Sequence, residues 1–109
     1  MSPITTHVLD TAAGRPAAGV SAVLDMLGSD GHTWNLLGRG VTDADGRIRT
    51  LLADGHVLSP GLYRIRFNTS EQSRFFPEVI IEFRVDDPSQ HYHVPLLLSP
   101  YGYSTYRGS

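Results

Sequence analysis

His91-Tyr92-His93-Val94-Pro95-Leu96-Leu97-Leu98-Ser99 is the stretch on which the fold turns. Read with a period of two, Tyr92, Val94, Leu96 and Leu98 make an unbroken apolar row, and His91, His93, Pro95 and Leu97 project from the other side. One face packs on a core, and the other keeps two imidazoles out of it. The start of the chain reads the same way. Thr6 and Val8 point inward, which sends Thr5, His7 and Leu9 to the opposite face.

Outward from this segment, short period-two runs recur along the chain, separated by Gly, Pro, Asp and Ser. The spacing predicts strands at 5–11, 19–28, 33–41, 48–51, 61–68, 79–85, 92–99 and 102–107. Gly supplies positive φ and Asp or Ser bonds its local backbone, so Ser29-Asp30-Gly31, Asp43-Ala44-Asp45-Gly46 and Ser59-Pro60-Gly61 read as turns. Residues 69–74 leave room for about a turn or two of helix, with Thr69 or Ser70 as N-cap. The expectation is an all-β chain of about eight strands in two packed sheets, with at most one short helix.

A chain of 109 residues accommodates one core, so residues 1–109 are expected to form a single domain. The hydrophobic fraction of 40% and charged fraction of 18% suit a globular protein. Nine basic against eleven acidic residues give a formal charge of -2, with no block of one sign to recruit nucleic acid or an anionic membrane. The absence of cysteine removes disulfides and thiolate metal sites. No apolar run is long enough to span a bilayer, and the first residues lack the basic and apolar regions of a secretion signal. A cytoplasmic location is expected.

Three short stretches and one long one together carry a resemblance. They are Thr5-Thr6-His7-Val8-Leu9-Asp10-Thr11 with Gly14 and Pro16-Ala17, then Thr42 to Arg47, then Phe75-Phe76-Pro77-Glu78-Val79, and finally HYHVPLLLSPYGYSTYRGS from His91 to Ser109. The chain resembles the 5-hydroxyisourate hydrolases, the enzymatic relatives of transthyretin, over nearly its whole length. Transthyretin keeps the Leu-Ser-Pro-Tyr segment but lacks the histidines and the terminal Tyr-Arg-Gly-Ser. Between Asn68 and Phe75 this chain is shorter than the family, where a fuller helix precedes Phe-Phe-Pro-Glu.

The resemblance implies a transthyretin-like sandwich assembled as a homotetramer, a dimer of dimers, with active sites in the mouths of a central channel. It implies hydrolysis of a ring amide of 5-hydroxyisourate to 2-oxo-4-hydroxy-4-carboxy-5-ureidoimidazoline, on the route from urate to allantoin, without a cofactor. His7, Arg47 and His93 take the catalytic positions. Tyr106, Arg107, Gly108 and Ser109 take the substrate-binding ones, joined by His91. Histidine suits the proton steps, since its unperturbed pKa is near about 6.5. The planar arginine fork suits a substrate displaying several carbonyl oxygens. Direct attack by water follows, with His7 or His93 as base.

Taken singly, these residues have ordinary explanations: Arg47 as a solvated charge after a turn, Tyr106 as cover for an edge. His32 and His56, in turn-like settings, are expected at the surface, and Asp10, Asp45 and Glu78 to serve turns and strand ends. The His91-x-His93 spacing also admits a zinc site, for which His7 is the one evident third ligand; no metal is expected. The competing class is a non-enzymatic small-molecule carrier of the transthyretin type, which an apolar channel lining would favour.

Overall fold

The computed structural model describes residues 2–108. Among them nine strands form: β1 (Ile4–Asp10), β2 (Arg15–Pro16), β3 (Ser21–Leu27), β4 (Trp34–Val41), β5 (Arg47–Ile48), β6 (Gly61–Asn68), β7 (Glu78–Val85), β8 (Tyr92–Ser99) and β9 (Gly102–Thr105). One sheet runs β2-β1-β8-β9 with β5 also on β1, and the other runs β4-β3-β6-β7. The two sheets enclose one core. Ile4, Val8, Leu96 and Leu98 meet Leu24, Ile65, Phe67 and Val79 there, all of them buried.

The pairing that matters for function is between β1 and β8, which run parallel. Thr6 stands beside Val94 and Val8 beside Leu96, so the two inward rows merge. Thr5 stands beside His93, His7 beside Pro95 and Leu9 beside Leu97, and the two outward rows merge as well. Alternation then leaves the histidines on the outer face of two strands whose inward rows are buried.

Several elements differ from the pattern-based expectation. The strand expected at 48–51 is only Arg47–Ile48, because Leu51 and Leu52 are both buried and consecutive residues of a strand cannot both face one core. The loop they form crosses β4 at Gly38, where a Cβ would lie 1.8 Å from the Leu51 carbonyl oxygen. The two-residue β2 is too short to show a period; it pairs Leu9 with Pro16 and Asp10 with Arg15. The last strand ends at Thr105 and not at 107. β3 and β4 slip register at Leu24/Asp25, a bulge that simple alternation does not anticipate.

No helix occurs among the described residues. Residues 69–74 keep one turn, in which the Thr69 carbonyl accepts from the N–H groups of Gln72 at 3.1 Å and Ser73 at 2.9 Å. Ser73 then donates its hydroxyl to the Pro100 carbonyl at 2.8 Å and accepts the Phe76 N–H at 3.0 Å, which turns the chain toward β7. Among the described residues no helix is long and apolar enough to cross a membrane.

Candidate active site

The outer face of β1 and β8 gathers His7, His91, His93 and Thr5, and β5 adds Arg47. The register of the short β1–β5 pair explains the arginine. Ile48, opposite Thr6, goes into the core, so Arg47, opposite His7, stays on the outer face. Among the described residues Arg47 makes no ion pair, leaving its guanidinium available to a ligand. The rings of His7 and His93 lie 6.5 Å apart between centroids and are tilted by 32°.

The Asp43–Gly46 turn holds His7. Gly46 adopts φ 75°, and a Cβ there would come within 2.5 Å of the Val8 carbonyl oxygen. Its own carbonyl accepts the Val8 N–H at 2.7 Å. The Asp43 carboxylate stitches the turn by accepting the N–H groups of Asp45 at 2.9 Å and Arg47 at 3.0 Å. Docked in this way, the turn sets the Asp45 carbonyl oxygen 2.9 Å from His7 Nε2. A carbonyl only accepts, so Nε2 carries the proton and the Nδ1 lone pair of the neutral ring is left open.

His93 is held from the other side. Its Nδ1 lies 2.7 Å from Thr5 Oγ1, and the same hydroxyl lies 3.0 Å from His91 Nε2. Gly108 covers the ring: its N–H donates to the His93 carbonyl at 2.8 Å, and a Cβ at 108 would fall 2.5 Å from His93 Cδ2. Burial lowers the pKa of His93 below the ordinary value, and the charges of Arg47, His7 and His91 lower it further. His7 is lowered too, by burial first and Arg47 second, against the Asp45 carbonyl and the carboxylates of Asp43 and Asp45, which pull upward. Both rings are therefore neutral near pH 7.

The remaining expected site residues divide. His91 and Gly108 join the cluster. Arg107 turns away, with Cζ 4.4 Å above the Tyr92 ring and a guanidinium N–H donated to Gln90 Oε1 at 2.8 Å. Tyr92 belongs to the core-facing row of β8. Tyr106 and Arg107 together line a cleft of about 320 Å³ between the sheet edges, beside Ile81 and Phe83. Ser109 lies outside the described residues. His32 and His56 are exposed in turns, as expected. Among the described residues no group of three or more His, Cys, Asp or Glu is placed to hold a metal ion. Two members of the cluster were not singled out by the sequence pattern: the Thr5 hydroxyl and the Asp45 carbonyl.

A family model described as HIUase/Transthyretin family matches residues 4–108. A 5-hydroxyisourate hydrolase of Salmonella dublin is 46% identical over 112 residues, covering 97% of this chain and 80% of the relative. Among solved structures, the 5-hydroxyisourate hydrolase of Klebsiella pneumoniae superimposes with a TM-score of 0.80 at 35% identity, covering 97% of this chain and 98% of the other. Sea bream transthyretin in complex with thyroxine superimposes with a TM-score of 0.86 at 30% identity, covering 98% and 95%.

Proposed function

The chain belongs to the HIUase/Transthyretin family, and on that premise we propose that it is a 5-hydroxyisourate hydrolase of urate degradation, with His7, Arg47 and His93 as its catalytic residues. The observation that carries the reading is the convergence on one sheet face of two imidazoles, both shifted toward the neutral form by burial and Arg47, and a guanidinium with no ion pair among the described residues. A carrier needs none of these titratable groups, whereas amide hydrolysis needs a base, an acid and a partner for developing negative charge.

The hydrogen bonds support one assignment of roles. His7, with its Nε2 proton committed to Asp45, takes a proton from water at Nδ1 while the water oxygen bonds to the ring carbonyl carbon. Arg47 holds the oxygen on which charge accumulates. When the tetrahedral adduct collapses, the carbon–nitrogen bond breaks and the His7 imidazolium passes the proton it took to the departing nitrogen, while the His93 Nε2–H donates a hydrogen bond to the adduct and stays neutral. His7 is then neutral again, and the new carboxyl group gives its proton to solvent. Tyr106, Arg107, Gly108 and Ser109 bind substrate in this reading, Arg107 after leaving Tyr92. The chain acts as a cytoplasmic homotetramer, a dimer of dimers whose channel mouths hold the sites.

An ultraviolet trace of freshly generated 5-hydroxyisourate tests this directly. Added protein accelerates decay of the substrate band, and His7→Ala, Arg47→Ala and His93→Ala each lower the rate by about a hundredfold or more while staying folded. Decay unchanged by the wild-type protein would leave the carrier reading, and near wild-type rates in two of the three variants would overturn the roles.

A further inference from the structure

Resting on the hydrolase reading, we infer that Thr5 is a positioning residue that fixes which nitrogen of His93 bears the proton, through a chain running from His91 to Thr5 to His93. Thr5 is 6% exposed and stands beside His93 in the parallel β1–β8 pair. Its single hydroxyl meets two ring nitrogens, Nδ1 of His93 at 2.7 Å and Nε2 of His91 at 3.0 Å. A hydroxyl has one proton and two lone pairs; accepting from both rings would leave the proton of this buried group without an acceptor among the described residues, so it donates to one ring and accepts from the other. Two arrangements satisfy that proton.

In the first, His93 donates from Nδ1 and Thr5 donates onward to His91. That leaves the His93 Nε2 bare beside a His7 whose Nδ1 is already bare, giving two acceptors and no ring N–H to donate to the substrate. In the second, His91 donates from Nε2, Thr5 donates to His93 Nδ1, and His93 presents an Nε2 proton. The distances favour the second, since a hydroxyl donor makes the shorter bond and a ring N–H the longer. The chemistry agrees, because the Asp45 carbonyl has already made His7 the acceptor of water's proton, and a His93 Nε2–H supplies the hydrogen-bond donor that the polarised substrate still lacks. The β-branched side chain adds stiffness: a threonine restricts χ1, so the hydroxyl cannot swing freely away from the ring. His91 is then the outer end of the chain and touches no reacting atom.

Thr5→Val is nearly isosteric and removes only the hydroxyl; Thr5→Ser keeps it. Nitrogen-15 NMR of the histidine rings in the wild-type protein should show the Nε2–H form for His93, and Thr5→Val should lose that preference. In the same variant kcat should fall by about tenfold or more with KM within about twofold, because substrate contacts are untouched, while Thr5→Ser stays within about threefold of wild type. A wild-type His93 protonated at Nδ1, or a folded Thr5→Val with unchanged kcat, would overturn the inference. The NMR result stands without turnover. A wild-type protein with the Nε2–H form but no effect on 5-hydroxyisourate would therefore sink the hydrolase reading and leave the tautomer assignment intact.

Discussion

His7 and His93 owe their protonation to neighbours that can be named. Burial and Arg47 pull both below the ordinary imidazole value, and the Asp45 carbonyl with Asp43 and Asp45 pulls His7 partly back. A base must be neutral to work, so kcat/KM should hold level as pH falls from 8 through about 6.5 and decline only below it. The sign for stability is the same. The unfolded chain protonates these rings at a higher pH than the folded one, so the fold loses stability as pH drops through the unfolded value and levels off once the folded rings have titrated. Steady-state rates across pH 5 to 8 check the first statement, and an acid limb centred above 7 would contradict it. The outward direction of both rings was legible from period two alone. The hydroxyl between His91 and His93 was not, because nothing in a local pattern says that positions 5 and 93 become neighbours in a parallel pair.

At the scale of elements, the long strands were legible and the short ones were not. Strands β6 and β8 lie at the predicted positions because each carries an unbroken inward row at period two, Tyr63, Ile65 and Phe67 in one and Tyr92, Val94, Leu96 and Leu98 in the other. The two-residue strands β2 and β5 are defined by partners and leave no periodic trace. The bulged strand β3 shows a second limit, since Asp25 is buried on the face away from the core. It lies between Arg64 and Arg66, whose Nε atoms donate at 2.8 and 2.7 Å, and Trp34 stacks on Arg64 with Cζ 4.3 Å from the ring. Burial raises the Asp25 pKa, but the arginine hydrogen bonds outweigh it and hold the carboxyl below the ordinary carboxylate value. Asp25→Ala strands two cations on the outside of the sheet. Because both arginines are partly exposed, the expected loss is on the order of 2 kcal/mol, below that of a fully buried pair. Urea unfolding at pH 7 measures it, and the difference should shrink as acid protonates Asp25 in the parent; an unchanged midpoint would show the triad to be energetically idle.

For the whole molecule, the outer face of the β1–β8 sheet mixes apolar side chains with the imidazoles of the candidate site. Leu9 and Leu97 are paired there and only partly buried, next to His7 and His93. Symmetric association that covers such a face removes it from water and dries the surroundings of Arg47. Leu97→Glu would set like charges against each other across a symmetric contact, so light scattering should report smaller species and turnover should fall with them. A folded dimer or monomer of undiminished activity would remove assembly from the account of catalysis. The parallel register that builds the site also dictates when the site can exist. Thr5 and His93 are 88 positions apart along the chain, and β1 finds β8 only after everything between them has been synthesised and drawn in. Closing so long a loop costs little more at equilibrium than closing a short one, but long-range pairing lowers the rate of reaching the native state. The price of a site built from both ends of the chain is thus levied on the speed of folding: no partly synthesised chain that stops short of β8 can hold His7, Arg47 and His93 together.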